Sequence, residues 1–199
     1  VDIDSLIVTA ADREAPYLLC LSRVCADKGQ HTAIEVARRA GLRLVLAGKV
    51  EQTHDGHAYF RDHVEPYIDG RNVTYLPNVC GTDKARLLAE AAALLAPITW
   101  EEPFGLYMAE AMASGTPAIA FRRGAAPELI ESGVTGFVVD DVDEMVDAVG
   151  RASDVDPIVC ARVARARFSP HVMAAGYVRR YREALVPDLR AHAQPVLSA

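Results

Sequence analysis

The chain has 199 residues, of which 51% are hydrophobic and 24% charged, with a formal net charge of −6; it is long enough to close a core, and the acidic balance argues against nucleic acid as the main partner. Its longest apolar run, Ala91 to Ile98, is interrupted by Pro97 and falls far short of the roughly 20 residues a bilayer span needs. The acidic start Val1-Asp2-Ile3-Asp4 lacks the basic opening of a signal peptide, so a cytoplasmic location is expected. Cys20, Cys25, Cys80 and Cys160 form no C-x-x-C pair and no zinc spacing; they read as buried small hydrophobes, with no disulfide or metal site expected.

Short apolar runs alternate with helix-like stretches, the pattern of a parallel sheet with crossover helices. Tyr17–Leu21 reads as a buried strand after Pro16, and the helix carrying Ala33, Ile34, Ala37 and Ala40 ends at Gly41. Leu42–Ala47 is the second strand and His57–Ile68 a helix made irregular by Pro66. Val73–Leu76, Ala93–Ile98, Ala118–Phe121 and Phe137–Val139 are further strands, separated by helices over Asp83–Ala92, Phe104–Ala113 and Ala126–Glu131. From Asp143 to about Leu185 the chain is helical, broken at Pro157 and Ser169-Pro170, with a frayed tail around Pro187 and Pro195. The expected fold is therefore α/β: one doubly wound parallel sheet followed by a helical C-terminal segment.

In such a sheet, ligands bind beyond the carboxyl ends of the strands, where the strand order reverses. No G-x-G-x-x-G and no G-x-x-x-x-G-K-[ST] follows a strand, which disfavours a dinucleotide cofactor and a P-loop nucleotide. The loop after the fourth strand is more informative. Pro103 suits a first helical turn, which would present the free N–H groups of Phe104, Gly105 and Leu106 to an anion such as a diphosphate. Glu102 lies beside them, a hydrogen-bond acceptor suited to sugar hydroxyls. Glu110 falls among Ala109, Ala111 and Met112, where an acid is costly without a partner. Taken singly, Glu102 also reads as a helix cap and Glu110 as a solvated side chain.

The stretch Glu102-Pro103-Phe104-Gly105-Leu106 through Glu110-Ala111-Met112-Ala113-Ser114-Gly115-Thr116-Pro117 resembles, without a gap, the E-x7-E signature of glycosyltransferase family 4, the glycosyl transferases group 1. Ser22-Arg23 to Lys28-Gly29 is similar to that family's G-R-x4-K-G, with Ser22 in place of the usual Gly. Gly124 to Ile130 and Gly133 to Val139 resemble its structural turns, Val1-Asp2 its hinge and Phe168 to Leu185 its closing helix. The resemblance implies the Rossmann-like C-terminal lobe of a GT-B enzyme spanning 1–199, with a hinge over about 1–16 and a closing helix over about 170–186. The acceptor lobe would precede Val1 and lie outside this chain.

What the resemblance implies for function is a nucleotide-diphospho-sugar donor, retention of configuration at the sugar, and no metal or cofactor. Arg23 and Lys28 would neutralise the leaving diphosphate with help from the backbone of Phe104, Gly105 and Leu106, and neither cation is expected to contribute much to the core. Glu102 would accept from the transferred sugar, Glu110 from the ribose, and the base would lie along Pro77-Asn78-Val79-Cys80. Catalytic roles fall to Glu102, Arg23 and Lys28. Expected partners are the donor, the N-terminal lobe, and an acceptor that is a sugar, lipid or small molecule. The Arg stripe of residues 162–182 reads as a solvated face or one turned toward that lobe, in preference to a membrane contact. A non-catalytic nucleotide-sugar-binding or regulatory module is the alternative.

Overall fold

A computed structural model describes residues 6–8 and 16–185. Most of the expected hinge over 1–16, including Val1-Asp2, and the tail around Pro187 and Pro195 lie outside the described residues. Six parallel strands, β1 (Tyr17–Leu21), β2 (Arg43–Ala47), β3 (Val73–Leu76), β4 (Ala93–Ala96), β5 (Ala118–Phe121) and β6 (Gly136–Val139), form one sheet in the order β3-β2-β1-β4-β5-β6. The helices are α1 (Gln30–Ala40), α2 (His54–His63), α3 (Gly81–Glu90), α4 (Leu106–Ala113), α5 (Ala126–Leu129), α6 (Val142–Gly150), α7 (Pro157–Phe168) and α8 (Pro170–Leu185). The doubly wound expectation is met. Strand order reverses between β1 and β4, which pair through Leu18–Ala93 and Leu19–Leu94.

Both faces of the sheet are covered, which is why its central strands are continuous apolar runs with no alternation. Leu18, Leu19, Leu94, Leu95 and Ile119 are wholly buried. α1 packs with α6, and α4 packs with both α3 and α7. Small residues at the contacts, such as Ala33, Ala37, Ala111 and Ala113, let the helices approach closely, while Met108 and Met112 of α4 fill the space between. Cys20, Cys25 and Cys160 are buried free thiols, but Cys80 is exposed at the start of α3, so the reading of all four as core residues holds for three. No helix among the described residues is long and apolar enough to cross a membrane.

Helix boundaries differ in several places: α3 covers Gly81–Glu90, not Asp83–Ala92, α5 ends at Leu129, not Glu131, and α2 ends at His63, with a separate 3-10 turn at Glu65–Tyr67. α2 starts at His54, not His57, because the Thr53 hydroxyl accepts from Gly56 N at 3.0 Å and caps it. α4 starts at Leu106, not Phe104: Gly105 precedes it with φ 80°, a left-handed conformation that cannot continue an α-helix. Pro103 is thus a loop residue. The acidic run at Asp140–Glu144 does cap α6, with Asp141 accepting from Glu144 N at 2.9 Å and Glu144 accepting from Asp140 N at 2.8 Å.

The Arg stripe divides. Arg165 donates to Ala113 O at 2.9 Å and Leu6 O at 3.2 Å. Arg167 donates to Leu129 O at 3.0 Å and to Glu128 O. Both donate to carbonyls at helix ends, Arg165 from a half-buried place and Arg167 from an exposed one. Arg162, Arg179, Arg180 and Arg182 are exposed. α8 buries no residue at all, and Met173, Tyr177, Tyr181 and Leu185, spaced by four along one side, are each more than half exposed.

Candidate functional site

The chain leaves β1 at the sheet's reversal point and winds through a single 3-10 turn, Ala26–Lys28, before Gly29 opens α1. Gly29 has φ 70°, and a Cβ there would lie 2.1 Å from the Pro97 carbonyl oxygen. The exits of β1 and β4 are therefore pressed together, and Thr99 N donates to Asp27 O at 3.0 Å across the seam. Gln30, itself buried, steadies the first loop by donating to Ser22 Oγ and Arg23 O, both at 3.0 Å. Ser22 thus fits where the resemblance expects glycine, and its hydroxyl gains a partner.

This seam buries Lys28. Its ammonium forms an ion pair with Glu102, also buried, and stands 4.5 Å from the Trp100 ring centroid and 5.5 Å from that of Tyr107. Two charges removed from water need each other and a polarisable surround. The expectation that Lys28 contributes little to the core is corrected: it is buried, and its ammonium lines the cleft. Glu102 caps no helix. Burial, with the Glu102 charge adding to it, drives the Tyr107 phenol far above its usual range, so it stays neutral, and its buried hydroxyl has no protein partner among the described residues.

Arg23 sits differently. More than half of its side chain is exposed and it pairs with Glu51 at 3.0 Å. Glu110 is not a solvated side chain; its carboxylate meets Lys84 of α3 at 2.6 Å. Gly105 is held to glycine by its φ of 80°; a Cβ there would also lie 2.2 Å from Met108 Cε, the movable end of a side chain that would have to shift. Beyond it, Leu106 and Tyr107 open α4 with N–H groups that have no intrahelical carbonyl to bond. Phe104 is 41% exposed and packs edge-on against Phe168, centroids 6.0 Å apart.

These pieces meet in one cleft of about 610 Å³ at the carboxyl ends of β1 and β4. It is lined by Arg23, Lys28, Val79, Glu102, Phe104, Gly105, Leu106 and Glu110, together with Ser22, Gly48, Lys84 and Tyr107; of the expected base loop Pro77-Asn78-Val79-Cys80, only Val79 lines it. Three cations, two carboxylates and a helix start suit a ligand with both an anionic and a hydroxyl-rich part. Sequence reasoning gave no role to Lys84, Trp100, Tyr107 or Glu51. For Lys84 a signal existed: a cation in the first turns of a helix opposes the macrodipole and calls for compensation. For Glu51 there was none.

The family model for glycosyl transferases group 1 matches residues 15–154. The chain belongs to that family. All the cleft residues lie within the matched range, whereas α7 and α8 follow it. A D-inositol 3-phosphate glycosyltransferase of Mycobacterium marinum is 35% identical over 120 residues, 57% of this chain and 25% of that protein. AviGT4, a glycosyltransferase involved in avilamycin A biosynthesis, is 29% identical with a TM-score of 0.74 over 92% of this group 1 chain and 56% of its own. The HepE protein of Anabaena, solved in complex with UDP-glucose, is alike in fold, with a TM-score of 0.75 at 22% identity over 93% of this chain and 56% of its own. This chain thus spans about a quarter of that curated relative and about half of each of those solved chains.

Proposed function

We propose that residues 16–185 form the donor-binding half of a retaining glycosyltransferase, holding a nucleoside diphospho-sugar while a second lobe presents an acceptor hydroxyl. The observation that carries this reading is the joint lining of one strand-end cleft by Arg23, Lys28, Glu102, Gly105 and Glu110. In it, Arg23 and Lys28 stabilise the diphosphate as its bond to the anomeric carbon breaks, and the backbone N–H groups from Phe104 to Leu106 assist. The helix start at Leu106, two residues later than expected, adds the free N–H of Tyr107 to this set. Glu102 accepts from sugar hydroxyls, Glu110 from the ribose, and Val79 flanks the base. The bare apolar side of α8 supports a covering lobe, since an exposed stripe of that length marks an interaction surface. The location consistent with such a donor is cytoplasmic.

The test is a thermal-shift panel of UDP, GDP, ADP and CDP and their sugars. At 100 times its Kd, a true ligand raises stability by about 2.7 kcal/mol. A shift with one base, larger for its nucleotide-sugar, is the expected result, and no shift with any overturns the reading. The alternative, a binding module without transfer, is separated by mixing the chain with a separately expressed N-terminal lobe and assaying sugar transfer. We expect transfer from the mixture and none from the chain alone, because the acceptor must be held against the anomeric carbon.

A further inference from the structure

We infer that Lys84 is a positioning residue for ribose recognition, setting the orientation of Glu110 and hence the preference of the cleft for ribonucleotides; this rests on the donor-site reading above. Three observations carry it. Lys84 lies at the start of α3, where the helix dipole disfavours a cation and Asp83 already supplies the favourable charge. Helix formation therefore does not explain it. Its Nζ instead reaches across to α4 and meets Glu110 Oε2 at 2.6 Å. Both side chains are largely withdrawn from water, 31% and 18% exposed, and both line the cleft.

The geometry has a directional consequence. A carboxylate on a helix can turn about its χ angles, and an unpaired Glu110 would present either oxygen, or neither, to the cleft. With Oε2 engaged by Lys84, Oε1 is the oxygen left for a ligand hydroxyl, and the acceptor is fixed before the ligand arrives. The ammonium also offsets the carboxylate charge that would otherwise repel a diphosphate in the same cleft. α3 follows the Val79 loop directly, so adjoining loop and helix supply the base-flanking residue and the group that aims the ribose acceptor.

The experiment measures, by calorimetry on the full chain, the affinities of UDP and GDP and of their 2′-deoxy and 3′-deoxy counterparts. For the wild type we expect a preference of roughly tenfold or more for the ribonucleotide over at least one deoxy form, as loss of a hydrogen bond to a charged group implies. Lys84→Met keeps the stem length and should bring that preference to within about twofold, while Lys84→Arg should restore most of it. Glu110→Gln should erase it by itself, and adding Lys84→Met to Glu110→Gln should change it no further. A Lys84→Met protein that weakens ribo and deoxy forms equally would overturn the inference and leave Lys84 as a structural ion-pair partner. A wild type that binds diphosphates without regard to the ribose hydroxyls would overturn the role of Glu110 and this inference with it. A wild type that binds none would overturn the donor-site reading.

Discussion

Arg23 and Lys28 look equivalent in the sequence, two cations five residues apart after the same strand, but they occupy opposite electrostatic regimes. Lys28 is shut into the seam between β1 and β4 with Glu102, Trp100 and Tyr107. Arg23 stands at the wet rim and holds Glu51. Desolvation makes the inner pair a commitment of the fold, because neither charge tolerates losing the other. The rim pair is screened and exchangeable. One site thus combines a cation that cannot leave with a cation that can adapt to its ligand.

Removing the inner cation should have the largest effect. Lys28→Met is expected to destabilise the chain by about 3–5 kcal/mol, the cost of stranding a buried carboxylate, read as a lower urea midpoint. Unchanged stability would erase the contrast drawn above. At the rim, Arg23→Met should weaken diphosphate binding by about 1.5–3 kcal/mol while shifting stability by less than about 1 kcal/mol, and nucleoside binding should stay constant. A variant that loses nucleoside and diphosphate alike would place Arg23 elsewhere in the cleft. Gly105→Ala comes next. Its left-handed backbone and the close Met108 methyl should cost about 1–2 kcal/mol, with the damage visible first at the α4 start.

The smallest effect is a pH slope. His31, at the start of α1 close behind Lys28, bonds the Tyr59 hydroxyl at 2.8 Å through Nδ1. Burial foremost, then His63, lowers its pKa from 6.5 against the pull of Glu35. The unfolded chain therefore takes up a proton that the folded chain refuses, so this contribution to stability is intact above pH 6.5 and is lost as pH falls below it. Urea midpoints at about pH 7.5 and about pH 5.5 should differ in that sense, and His31→Gln should flatten the difference.

The sheet was legible because burial on both faces writes its central strands as unbroken apolar runs, Tyr17–Leu21 being the clearest. The cleft was legible because most of its residues crowd into two short segments after β1 and β4, Arg23 and Lys28 in one and Glu102 to Leu106 in the other. What escaped the sequence was pairing. Lys28 meets Glu102 across 74 positions of chain, and no periodicity carries information over that distance. Lys84 and Glu110 are likewise joined only by the packing of α3 on α4. The start of α4 was misread because Pro103 and Gly105 send opposite signals. A proline suits a first turn, but a glycine at positive φ cannot lie inside one, and the backbone conformation decided the boundary. Arg165 and Arg167 were grouped with exposed neighbours because charge alone does not reveal a guanidinium that serves carbonyls.

That service by Arg165 has a mechanical side. One planar fork clamps the entering segment at Leu6 O and the last residue of α4 at Ala113 O, and Gly115 just beyond has Val8 pressed against it. α4 is only eight residues long and starts at the cleft, and a short helix transmits displacement as a stiff rod. A tug on the entering segment is expected to reach Leu106 and Gly105, so that the cleft-facing end of the rod registers strain applied on the far side of the domain. Amide NMR shifts of Gly105 and Leu106 should respond to Arg165→Met, although that residue touches neither, and silence at both would show that the clamp transmits nothing.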